Sequence, residues 1–373
     1  MSKYYLLLAL YCLCLTQTLN AETNYHIDLS NSANNTYEVS VSFNAEEDSV
    51  FLKMATWTPG SYLIREFSKH VGAYSASDQS GKPLECRKLN KNTWYILKGK
   101  SNKINFNYSV YAHELSVRNS YLCSDFGLIN AASLFIYPEK NINKDFKIKF
   151  KMPSEWIVST NLENTNNGEY VAVNLDQLID SPILLGKQNV YTFQAAGIDH
   201  RIAITGTDLY NIEIIKKDLA EIAEYQTNIF DHNPCKDYLY IVIARSRNGG
   251  GLEHKNSTTL IIDRHALAFE SSYRGFLGLC SHEYFHIWNV KRLRAKNLGP
   301  FDYENENYTR LLWLMEGFTS YYSTKTLYHI DKYTEEEYMR SIISPMERHF
   351  ERPGYEVQSL AESSLDAWIK HYR

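Results

Sequence analysis

Ser281-His282-Glu283-Tyr284-Phe285-His286-Ile287-Trp288 is the stretch whose reading decides the fold. His-Glu-x-x-His on a helix is a metal-site motif with a mechanical basis. At about 3.6 residues per turn, His282 and His286 rise from one face a turn apart, so both imidazoles reach a single ion. Glu283 stands on the flank of that face, close to the ion without being one of its ligands. A catalytic zinc takes three protein ligands and keeps a fourth position for water. The candidate third ligand is Glu316, a lone carboxylate in Leu312-Trp313-Leu314-Met315-Glu316-Gly317-Phe318. The lead-in Phe276-Leu277-Gly278-Leu279-Cys280 is apolar, and an idle Glu beside it would be costly to bury. One zinc per chain is the expectation.

Around this centre the text divides in two. From about Tyr25 to Phe193 it is strand-like, with clean alternation in Tyr37–Phe43 and Ile104–Tyr111. Turn residues such as Asp78-Gln79-Ser80-Gly81 and Asn166-Asn167-Gly168 separate the runs. This predicts an N-terminal antiparallel β-sandwich-like domain over 22–193. Trp57-Thr58-Pro59-Gly60-Ser61-Tyr62 reads as a turn, either a rim facing the active site or an ordinary corner. After Asp180-Ser181-Pro182 and Gly186, helix and strand mix over 194–373, so the whole is α+β. Asp208 can cap a helix to about Phe230. Tyr238–Ala244 and Thr258–Ile262 read as strands, with Gly249-Gly250-Gly251 a flexible turn before Leu252-Glu253-His254. The motif helix is expected over Tyr273–Leu293 and the Glu316 helix over Thr309–Tyr328. Thr334-x-x-Glu337 is a capping box for a further helix, which Pro345 is expected to kink. The text ends in a helical phrase with no stop signal, so the second domain is expected to be incomplete.

The 373 residues suit two domains, and 44% apolar residues suffice for sizeable cores. The 29 tyrosines fit half-buried strands. Net charge is −4, or −5 without Lys3 and the rest of the first 21 residues, so no nucleic-acid partner is indicated. Residues 1–21 read as a secretory signal peptide: Lys3, an apolar run Tyr4–Leu15, and Leu19-Asn20-Ala21 at the cleavage site. Export to a periplasmic or secreted location follows. No stable membrane span is expected after signal removal, since no run approaches about 18 apolar residues. Cys86, Cys123, Cys235 and Cys280 form two disulfides in one of three pairings, or stay free.

With His282, Glu283, His286 and Glu316 placed, the chain resembles the gluzincin metallopeptidases, whose second helix supplies a glutamate ligand. Trp313–Phe318 is similar to the glutamate-ligand motif of the aminopeptidase N family. A fuller resemblance is to the glycyl aminopeptidase family, carried by His282–Arg292, Leu298–Tyr303, Glu316–Tyr322 and Trp57–Tyr62 with Ile64–Phe67. It implies a β domain before a thermolysin-like catalytic domain, one zinc, and removal of small N-terminal residues such as Gly or Ala. Complete members carry further helices and a PDZ-like domain, expected to be missing after Arg373. A transition-state tyrosine of related aminopeptidases is expected beyond that end too.

The chemistry assigns each residue a role. Two imidazoles and one carboxylate leave a zinc site net positive, so water there ionises near neutral pH, and Glu283 is the general base. Glu253 resembles the ammonium-binding glutamate of the aminopeptidase N relatives, though His254 stands where they have Asn. Gly250 and Gly251 would line the substrate strand. Asn289 is a candidate partner of His286 or a plain helix-surface residue. Tyr322, with Tyr321, is a candidate oxyanion donor or a core aromatic. Lys291, Arg292 and Arg294 would attract a peptide carboxylate or form a solvated face. His254, His265 and His329 lack ligand spacing. The expected activity is a zinc aminopeptidase acting on peptides with a free N-terminus. Rival readings are a zinc endopeptidase and a non-catalytic peptide-binding scaffold.

Overall fold

The computed structural model describes residues 22–245 and 249–370; the signal-like segment 1–21 lies outside the described residues. In Thr36–Asn44 the residues Tyr37, Val39, Val41 and Phe43 are buried and their neighbours face outward. Lys103–Tyr111 repeats the pattern with Ile104, Phe106, Tyr108 and Val110, and the strands pair in a register that sets Val41 opposite Phe106. One face of the seven-stranded sheet is thereby apolar. It packs on a four-stranded sheet whose Leu52, Met54, Trp94 and Ile96 enter the same core. Each such side chain contributes about 1.5–3 kcal/mol by leaving water. The sandwich is thus as expected. One pairing departs from antiparallel order, since Thr23–Asp28 runs parallel to Phe146–Lys151. A short helix, Leu175–Ile179, is capped by Asn174 and ends at Asp180.

The second half is built on a five-stranded sheet. Ile198–Thr205, Asp237–Ala244 and Ser257–Ile262 run parallel, with Asn189–Ala195 and Gly250–Glu253 antiparallel at the two edges. Tyr238–Ala244 is buried on both faces, as a central parallel strand must be. On one face Tyr240, Val242 and Leu260 meet Ile215, Leu219, Leu277 and Tyr284 of the helices. On the other, Leu239, Ile241, Ile243, Leu252 and Ile261 meet Phe126, Leu128 and Leu184 of a small N-terminal sheet. The two halves therefore share an apolar seam. Asn189–Ala195 pairs along its whole length with Ile198–Thr205, so a division at 193 would cut a strand. We propose the division between Gly186 and Asn189.

Local chemistry moved several expected boundaries. The helix Ile212–Ile229 is capped by Asn211, whose Oδ1 accepts from the Glu213 and Ile214 amides, while Asp208 accepts from the Asn189 side chain. Gly250 and Gly251 are not a flexible turn but the start of an edge strand, opposite Ile261 and Leu260. The motif helix, Glu270–Phe285, stops well short of Leu293, because the chain turns after His286 and Val290 takes φ 124°. The Glu316 helix spans Leu312–His329. Thr334 and Glu337 form the expected capping box, and that helix continues through Pro345 to Phe350. Cys86, Cys123, Cys235 and Cys280 are all free. Among the described residues no helix is long and apolar enough to cross a membrane.

Candidate active site

The motif helix and the Glu316 helix lie side by side over the edge strand. Their polar stitching is buried: Gln226 donates to Ser281 Oγ at 2.9 Å and to Thr326 Oγ1 at 3.2 Å, and Ser281 Oγ donates to the Ser323 carbonyl at 3.0 Å. These bonds fix the separation of the helices that carry the candidate ligands.

His282 Nε2 lies 3.1 Å from His286 Nε2, and Glu316 Oε2 lies 3.4 Å from the first and 3.7 Å from the second. Three donor atoms thus converge on one point, as one ion requires. His286 Nδ1 donates to the Asn289 carbonyl at 2.8 Å, which leaves the Nε2 lone pair facing Glu316. Burial holds the His286 imidazole down at about 4, so it is neutral at physiological pH. Neutral nitrogen lone pairs and a carboxylate are the donor set that a divalent zinc takes, so the residues fit the group.

Asn289 is the hub of this corner. Its Nδ2 donates to the Met315 carbonyl at 2.8 Å and to Thr319 Oγ1 at 3.0 Å, while its own carbonyl orients His286. It ties the turn after the motif helix to the Glu316 helix, one turn around the ligand. Replacing Asn289 by Ala should weaken metal affinity by about 10–100-fold. Titration with a competing chelator measures it, and an unchanged affinity would remove Asn289 from this role.

Glu283 is buried, and its Oε2 has no hydrogen-bond partner. Burial, then Glu253 and Glu316, push its carboxyl well above the usual carboxylate range. Glu253, also buried, ends the edge strand, and its carboxylate stands within 4.8 Å of Glu283 and His286. Two glycines make room for these groups. A Cβ on Gly251 would lie 2.0 Å from Glu283 Oε1, and one on Gly60 would lie 2.6 Å from Glu253 Oε2. Gly60, at φ 86°, thus makes the Trp57–Tyr62 turn part of the rim rather than a plain corner.

Other sequence candidates lie elsewhere. Tyr322 stacks on Phe285 at 5.0 Å between centroids, a packing role outside the ligand cluster. In the basic run Lys291 and Arg292 are half-buried and engaged, while Arg294 is exposed. Lys291 pairs with Asp180 at 2.9 Å, Arg292 donates to the carbonyls of Ile287, Lys255 and Pro234, and Arg294 lies over the Phe301 ring. Asp180 was legible only as a boundary marker. It also accepts from the Lys255 amide at 2.8 Å, and His254 Nδ1 lies 3.4 Å away.

A β-sandwich thus leads into a mixed sheet, and two adjacent helices there bear His-Glu-x-x-His and a glutamate. Residues 24–187 match the Peptidase M61 N-terminal domain and residues 275–373 match the M61 glycyl aminopeptidase domain. The chain belongs to the M61 peptidase family. A crystal structure of an aminopeptidase N family protein from Idiomarina loihiensis is similar at a TM-score of 0.90 and 34% identity, over 94% of this chain. The chain spans 62% of that protein's length. No curated protein matches it.

Proposed function

We propose that this chain is a zinc-dependent aminopeptidase that removes small N-terminal residues, Gly and Ala above all, from peptides. The observation that carries the reading is the close grouping of a three-donor cluster, a buried unpartnered Glu283 and the Glu253 carboxylate at the end of an edge strand. His282, His286 and Glu316 would hold one zinc. When bound, zinc polarises the scissile carbonyl and makes water acidic enough to be activated near neutral pH.

The chain's own residues supply the rest. Glu283 Oε2 takes a proton from the attacking water and passes it to the departing amine. Glu253 accepts the substrate's α-ammonium, which fixes the register so that the first peptide bond meets Glu283. Gly250 and Gly251 let the substrate backbone lie against the edge strand without side chains in the way. Residues 1–21 support export to a periplasmic or secreted location.

The test is an assay of metal-loaded protein on Gly-, Ala- and Leu-amide chromogens and their N-acetylated forms. Gly and Ala should be preferred, a chelator should stop turnover, and acetylated substrates should be ignored. Cleavage of acetylated peptides would make it an endopeptidase, and binding without turnover a scaffold. A second check is Gly251→Ala. The new methyl displaces Glu283, and a shift of that order should lower kcat/KM by about 10–100-fold at unchanged metal content. Wild-type rates in that variant would mean that Glu283 does not act from this position.

A further inference from the structure

Glu253 and Glu283 are two nearly fully buried carboxyl groups, 5% and 4% exposed, the first at the end of the edge strand and the second on the motif helix. Their oxygens and a ring nitrogen of His286 all lie within 4.8 Å of one another. Glu283 Oε2 has no hydrogen-bond partner. Gly60 and Gly251 pack flush against the two carboxylates, which fixes where they stand. The cations whose fields reach Glu283 are Lys291 and Arg118, and Lys291 is already 2.9 Å from Asp180.

Two buried carboxyl groups this close present several oxygen donors to one point, and a cation seated there offsets the cost of ionising both. Hard carboxylate oxygens suit a divalent ion. We propose that Glu253 and Glu283 form a second divalent-cation site, separate from the His282–His286–Glu316 cluster. His286 borders both sites, but its Nε2 faces Glu316, so the second ion is held by the two carboxylates alone. Such an ion occupies the place proposed for the substrate's ammonium and engages the proposed base. It makes excess metal an inhibitor that competes with the peptide, a consequence that rests on the aminopeptidase reading. The site itself does not rest on it.

The experiment is calorimetric titration of the full chain with Zn2+ alone, backed by elemental analysis. Wild type should show two binding events, a tight one and a weaker one. Glu253→Gln and Glu283→Gln, both isosteric, should each keep the tight event and weaken the second at least tenfold. The retained tight event shows that each variant is folded. Only one event in wild type, or a second event surviving unweakened in either variant, overturns the proposal. In kinetics, Zn2+ beyond one equivalent should raise KM for a Gly-amide chromogen and leave kcat unchanged; a fall in kcat at constant KM overturns the competitive role. If the chain shows no turnover, the aminopeptidase reading falls while the titration still decides the site.

Discussion

Replacing Glu283 by Gln should leave one zinc per chain bound at the His282–His286–Glu316 cluster and reduce kcat by about 10²–10⁴-fold. The argument rests on where the side chain stands. Glu283 sits on the motif helix beside the ligands yet is not one of the three converging donors. Its Oε2 is buried without a partner, so the amide of Gln can replace the carboxylate without breaking a hydrogen bond to that atom. Volume and helix propensity hardly change, so folding should survive. What disappears is the ability to take a proton. Metal content by elemental analysis and rates on Gly-amide chromogens give the two readings together. Full turnover in the variant would take the base assignment away from Glu283.

The site was readable from the sequence where local periodicity alone decides geometry. His282 and His286 share a helical face by spacing, and Glu316 stood out as a charge in an apolar helix. The sandwich was readable because alternation in Tyr37–Phe43 and Ile104–Tyr111 leaves one face for the core. What escaped was set by contacts between distant segments. The motif helix ends at Phe285 because His286, Asn289 and Met315 form a bonded corner, which no propensity in 286–293 signals. Gly250 and Gly251 looked like a turn because glycine is permissive, yet pairing with Leu260 and Ile261 makes them strand. Lys291 looked like part of a surface charge run. Its partner, Asp180, comes from the other domain, 111 residues away in the chain.

That pair carries the second large prediction. Lys291 Nζ lies 2.9 Å from Asp180 Oδ1, with side-chain exposures of 10% and 22%. Asp180 stands at the end of the Leu175–Ile179 helix, and Lys291 follows the corner that orients His286. Removing one partner of a buried pair leaves an uncompensated charge, so Asp180→Ala should cost about 3–5 kcal/mol of stability. Lys291→Met combined with Asp180→Ala should restore part of it, because neither charge of the pair is then left facing an empty partner. The dependence on pH follows from the same contacts. Burial pushes the Asp180 carboxyl up, but Lys291 and His254 outweigh it and hold it well below the usual carboxylate range. A group depressed on folding contributes fully above its unfolded value, about 3.9, and loses that contribution as pH falls toward the folded one. The Tm gap between wild type and Asp180→Ala should therefore be constant above about pH 5 and shrink through pH 4 and below. A gap that stays constant down to pH 3 would show that the carboxylate is not held ionised by Lys291. The seam between the domains would then rest on its apolar faces and on its other polar contacts, such as Arg245 with Asp125 at 2.8 Å.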